Sequence, residues 1–108
     1  MGDGFLATFN GGAHAVRCAV EIVAGAKALG LDLRAGLHTG EIELRGDDIA
    51  GLAVTIAKRV CDLAGPTQVL VSNTLKELLV GSGIALSDHG SQVLKGVPDE
   101  WRIYEVTS

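Results

Sequence analysis

The stretch GDDIAGLAVTIAKRV, residues 46–60, carries a carboxylate, a hydroxyl and a guanidinium at Asp48, Thr55 and Arg59, spaced by seven and then four residues. On an α-helix each residue advances by about 100°. With Asp48 at zero, Thr55 then falls at about −20°, Arg59 at about +20° and Asp62 at about −40°. Ile49, Ile56, Val60 and Leu63 fall between roughly 60° and 120°. The segment therefore reads as a helix with an apolar stripe facing a core and a polar stripe beside it. A polar stripe of that length is either a working surface or a solvated helix face. The plainer alternative is that Asp48 stabilises the helix N-terminus while Arg59 pairs with Asp62 or with water.

The surrounding elements must hold that stripe in place. FLATF (5–9) reads as a strand, broken by NGG. Val16, Val20, Val23 and Ala24 recur at helical spacing over 13–29, with Gly30 as the stop. LDLRAGLHTGEIELRGDD reads as two strands, 32–37 and 41–45, turned at Thr39-Gly40. The helix with the polar stripe runs over about 49–63 and ends at Gly65-Pro66. QVLVS follows as a buried strand, and Ser72 or Asn73 caps a short helix reaching Leu79. IALSDHG, SQVLKG and WRIYEV read as separate strand-like pieces. Mixed strands and helices without strict alternation predict an α+β sandwich, with helices packed on one largely antiparallel sheet.

Composition narrows the function. The 108 residues are one domain's worth, and 47% hydrophobic content is enough for a core. A net charge of −4 gives no broad basic surface for nucleic acid or anionic membrane, so any bound nucleotide must be held by local lysines and arginines. No apolar run of membrane-spanning length and no secretory leader is present, which predicts a cytoplasmic protein without direct membrane insertion. Cys18 and Cys61, outside any Cys-x-x-Cys spacing, are expected to be small buried hydrophobes in a reducing compartment.

Four ordered stretches resemble the catalytic domain of the class III adenylate and guanylate cyclases. GDGFLATF (2–9) resembles the family's second metal-binding segment, and LRAGLHTGEI (33–42) its Arg-x-Gly-x-His-x-Gly hairpin. DIAG (48–51) with VTIAKR (54–59) matches the pattern Asp-Ile-x-Gly…Val-Asn-x-Ala-x-Arg without a gap, and LKGVPDEWRIYEV (94–106) its closing Lys-Gly strand pair. The resemblance spans nearly the whole chain. It implies a ferredoxin-like cyclase sandwich and the conversion of ATP to 3′,5′-cyclic AMP and pyrophosphate. Two metal ions, Mg²⁺ or Mn²⁺, would assist. In that pattern Asp3 is a metal ligand, Arg34 and Lys95 bind phosphates, and Asp48 accepts a hydrogen bond from the adenine amino group. Thr55 orients the ribose, and Arg59 stabilises charge growing on the α-phosphoryl group. The family's sites form between two head-to-tail subunits, which implies a homodimer. His38, a tempting base, is expected to be a satisfied structural histidine.

Two departures matter. Thr55 stands where most members have Asn, and its hydroxyl offers one donor where the amide offers two, which predicts weaker turnover. Lys58, where a small residue is usual, is expected to be solvated. The family's first metal aspartate and its adenine-contacting lysine would fall before Met1. The chain therefore reads as the C-terminal two-thirds of the domain, 1–108, incomplete at its N-terminus. That reading predicts an isolated chain with little activity and a tendency to self-associate. The alternative is a degenerate cyclase remnant that serves as a nucleotide-binding or dimerisation module.

Overall fold

A computed structural model describes residues 12–39 and 47–107, with 47–53 described as helix backbone alone. Seven elements follow in order: α1 (Gly12–Ala28), β1 (Ala35–Leu37), α2 (Asp47–Leu63), β2 (Val69–Ser72), α3 (Asn73–Leu78), β3 (Leu86–Val93) and β4 (Glu100–Val106). The described strands form one sheet in the order β1-β2-β4-β3. The β1–β2 pair is parallel, and the β2–β4 and β3–β4 pairs are antiparallel. The α+β class and the antiparallel majority agree with the sequence reading. The expected strands at 5–9 and 41–45, and the turn at Thr39-Gly40, fall wholly or partly outside the described residues.

Each helix forms for a local reason. In α1, Ala15, Val16, Ala19, Val23 and Ala26 are buried on one face. It stops at Gly30, whose φ of 81° suits a residue without a Cβ. There the Gly30 N–H reaches the Lys27 carbonyl and the Leu31 N–H reaches that of Ala26, at 3.0 and 2.9 Å. These two bonds satisfy carbonyls that the helix end would otherwise leave open. Helix α2 yields to Gly65-Pro66, where the Gln68 N–H bonds the Gly65 carbonyl at 3.1 Å and closes a turn. Ser72 caps α3 by accepting from the Leu75 N–H at 3.4 Å.

The sheet has helices on both faces. Ile56 and Val60 of α2, and Ala64 just past its end, pack against Leu70 and Ile103, together with Leu94 and Val97 from the β3–β4 connection. Val16 of α1 and Leu75 and Leu79 of the α3 region pack on Val71 from the other side. Ala19 and Val23 extend that layer over Ala35 and Val69. The split follows from the two-residue period of a strand, which sends Val69 and Val71 one way and Leu70 and Ser72 the other.

Two sequence readings change here. LSDHG (86–90) and SQV (91–93) are one strand, β3, with an irregularity between Asp88 and Ser91. Gly90, at φ 92°, donates its N–H to the Asp88 carboxylate at 2.7 Å, so the glycine makes a bulge and does not end the strand. Leu94-Lys95-Gly96 is a turn between β3 and β4, not strand. The Val97 N–H bonds the Leu94 carbonyl at 3.0 Å, with Gly96 at φ 80°. Among the described residues no helix is long and apolar enough to cross a membrane.

Candidate functional site

The site builds on the α2 face of the sheet. Around β1 the side chains alternate: Leu33, Ala35 and Leu37 belong to the α1 side. Arg34, Gly36 and His38 take the opposite side, towards α2. Gly36 lies directly beneath that helix, because a Cβ there would collide with the backbone N and Cα of Cys61. The glycine lets helix and strand backbones touch, and it fixes α2, with its polar stripe, at one height above the sheet.

Arg59 sits at the border between the α2 core and solvent, with 31% of its side chain exposed. Its Nε–H donates to the Lys95 carbonyl at 3.1 Å, and Nη1 donates to the Asp62 carboxylate at 3.4 Å. Thr55 is half-buried. It stands four residues before Arg59, a rise of about 6 Å. Lys58 is exposed, as expected for a solvated side chain, and so is Lys95. The structure thus brings Arg59 and the Lys95 backbone into direct contact, although they are 36 residues apart.

Arg34 enters the same face from the sheet. It is half-buried, and its Nε is buried without a hydrogen-bond partner among the described residues. A buried cationic N–H left unpaired is costly, and an anionic acceptor would relieve it. The Arg34 carbonyl accepts the Cys61 thiol at 3.9 Å. Burial is the main cause that pushes the Cys61 thiol up from its ordinary pKa, with the Asp62 charge adding to it, so the thiol stays protonated. Both cysteines are free and half-buried, less enclosed than the sequence suggested.

His38 is held structurally. Its Nδ1 lies 2.8 Å from the Ser72 hydroxyl, and its ring meets Trp101 edge-on at 5.3 Å between centroids. Ser72 is fully buried and already accepts the Leu75 N–H. Its own hydroxyl proton is best placed on His38 Nδ1, which puts the imidazole proton on Nε2. Burial lowers the His38 pKa and keeps the ring neutral. Sequence reasoning anticipated a satisfied histidine. It missed the partners, whose signal was the alternation Arg34, Gly36, His38 on one side of a strand.

Asp3 and the Asp48 side chain lie outside the described residues, so the structure places neither; the Asp48 backbone is in the first turn of α2. Among the described residues no group of three or more His, Cys, Asp or Glu could hold a metal ion. Apart from this face, a groove between α1 and residues 82–84 is lined by Val16, Val20, Ile84 and Val106 together with Arg17 and Glu21.

No protein-family model matches the chain. An uncharacterized Mycobacterium tuberculosis protein is 36% identical over 104 residues, which cover 93% of this chain and 36% of that protein. A Rhizobium meliloti protein named "Putative adenylate cyclase 3" is 30% identical over 105 residues, 89% of this chain and 18% of that protein. The chain therefore spans about a third or less of the length of these relatives. Among solved structures, the adenylate/guanylate cyclase/hydrolase from Silicibacter pomeroyi superposes with a TM-score of 0.77 at 23% identity. It covers 93% of this chain and 63% of that one.

Proposed function

Given that the fold is that of the class III adenylate/guanylate cyclase domains, we propose that this chain forms part of an adenylate cyclase catalytic unit, which turns ATP into 3′,5′-cyclic AMP and pyrophosphate. The observation that carries the reading is Arg59. It is the guanidinium of the polar stripe, it stands one turn from Thr55, and its bond to the Lys95 backbone ties it to the loop that bears the Lys95 ammonium.

In this reading the 3′-hydroxyl of ATP attacks its own α-phosphorus and pyrophosphate leaves. Arg59 donates to the α-phosphoryl oxygens as negative charge grows there. Lys95 and Arg34 grip the triphosphate, and the Arg34 Nε, unpaired among the described residues, offers one donor for it. Thr55 orients the ribose, and Asp48, at the start of α2, accepts from the adenine amino group. A carboxylate there disfavours guanine, whose O6 is also an acceptor. Asp3 would be a ligand for Mg²⁺ or Mn²⁺, which would supply activation of the hydroxyl and charge for the triphosphate. Two copies would be needed, with Asp3 and Arg34 of one facing Asp48, Thr55, Arg59 and Lys95 of the other. The reading places the chemistry in the cytoplasm, where ATP is available.

Thr55 in place of Asn favours the second reading, a nucleotide-binding module without turnover. Assay with ATP and Mg²⁺ or Mn²⁺ of a protein in which upstream sequence supplies the first metal aspartate and the adenine lysine separates the two. Cyclic AMP formation that Arg59→Ala reduces mainly in kcat, with KM little changed, supports the enzyme. ATP binding without product establishes the module. Absence of both refutes the proposal.

A further inference from the structure

Resting on the cyclase reading, we propose that Arg59 is preset for its phosphate by a two-point cradle, the Lys95 carbonyl and the Asp62 carboxylate. Gly96 and Asp62 are then positioning residues of the site.

An arginine carries five N–H donors in a planar fork. Here Nε–H is taken by the Lys95 carbonyl and one Nη1 hydrogen points to Asp62. Among the described residues three donors remain, including both on Nη2, enough to meet two oxygens of one phosphoryl group. The two anchors remove rotamer freedom that a long side chain would otherwise lose on meeting its ligand.

The Lys95 carbonyl is aimed by its turn. Leu94 to Val97 is closed by a bond from the Val97 N–H to the Leu94 carbonyl. Gly96 is at φ 80°, and Lys95 is not among the residues at positive φ. That combination is a type II turn, in which the peptide between the two central residues is flipped relative to type I. Nothing lies within 4 Å of where a Gly96 Cβ would be. The glycine therefore answers to backbone conformation and not to space. Leu94 and Val97, the outer residues of the turn, are 2% and 7% exposed and pack with Ile56 and Val60 of α2. The turn is thus clamped to the helix that bears Arg59, and carbonyl and guanidinium keep a fixed relation.

Asp62 follows Arg59 by three residues on the exposed side of α2. Its negative charge opposes a phosphate bound nearby. Its place beside a phosphate-directed arginine makes sense as a guide for direction, obtained at the expense of ground-state affinity.

Side-chain nitrogen NMR of the 108-residue chain tests the cradle. The Arg59 Nε–H is expected to exchange with water about tenfold more slowly than that of the exposed Arg17. Gly96→Ala should abolish the difference. Gly81→Ala, which alters another glycine at φ 83° with open space around it, should preserve it. Asp62→Ala, an exposed change that leaves the core intact, should speed Arg59 exchange about threefold. Slow Arg59 exchange that survives both Gly96→Ala and Asp62→Ala overturns the proposal. Inorganic tripolyphosphate is the second probe, and Asp62→Asn should bind it about threefold more tightly than the unaltered chain. If tripolyphosphate moves no Arg59 signal in any variant while the Gly96 effect holds, the cradle stands and the cyclase reading falls.

Discussion

Towards α1 and α3 the strands present Leu33, Ala35, Leu37, Val69, Val71, Tyr104 and Val106, a nearly continuous apolar surface. Towards α2 the same strands present Arg34, Gly36, His38, Leu70, Ser72, Trp101 and Ile103. One face is ordinary burial, in which each side chain needs only to be apolar and of about the right size. The other mixes a small apolar core with polar groups, three of which have a specific neighbour: His38 on Ser72, Cys61 on the Arg34 carbonyl, Arg59 on the Lys95 carbonyl. The face that carries the proposed site gives up generic packing for positional control, and it depends on contacts that cannot be exchanged for similar ones.

That contrast can be broken most severely at Gly36. Gly36→Ala should cost about 3 kcal/mol or more, because the added methyl meets α2 backbone that cannot move aside. Gly25→Ala, in α1 with nothing within 4 Å of the new methyl, should instead stabilise by about 0.5–1 kcal/mol. Urea denaturation of the two variants checks both, and equal effects would erase the distinction between the faces. Ser72→Ala should cost about 2 kcal/mol by removing the α3 cap and the His38 partner together. His38→Ala in the same background should then add less than it does alone, which a double-mutant cycle measures.

A smaller effect lies at Thr67, on the path from α2 to β2. Its φ of 65° is unusual for a β-branched residue, and its N–H is tied to the Leu33 carbonyl at 2.8 Å. Thr67→Gly should raise stability by a few tenths to about 1 kcal/mol, seen as a higher Tm. The smallest expected effect is a pH dependence. Burial lowers the His38 pKa in the folded chain, so the unfolded chain binds the proton more readily. This contribution is fully present above the ordinary imidazole pKa of about 6.5 and is lost as pH falls through the lower folded value. Chemical denaturation at pH 7.5 and 5.5 should show a loss that His38→Gln reduces. The Asp88–Arg102 pair on β3 and β4 is exposed, and breaking it should leave this profile nearly unchanged.

Much of the fold was legible because helices announce themselves by period and punctuation. The α1 and α2 stripes, the Gly30 and Gly65-Pro66 stops and the Ser72 cap all act within a few residues of chain. The positions of Thr55 and Arg59 on one helix were equally legible, since a 3.6-residue repeat is a local property. The turn at Lys95-Gly96 was misread as strand because a lone glycine in an extended-looking run marks a bulge at Gly90 and a type II turn at Gly96 with the same letter. The Arg59–Lys95 and His38–Ser72 contacts join residues 36 and 34 positions apart, and no local pattern encodes which strand will lie beside which.

The β1–β2 pair is parallel, and α2 is the segment that crosses between them. A chain must close that long loop before the first β1–β2 bond can form, whereas β3 and β4 are joined by a short connection. Hairpins of the second kind form in about 1–10 μs, and pairings of the first kind wait on loop closure. The Lys95-Gly96 corner is therefore expected to be shaped early, with α2 descending later onto a hairpin that already displays its carbonyl. In kinetic terms the arginine arrives last at a receptor that was waiting for it. Substitutions on α2 near Arg59 should then speed unfolding more than they slow folding.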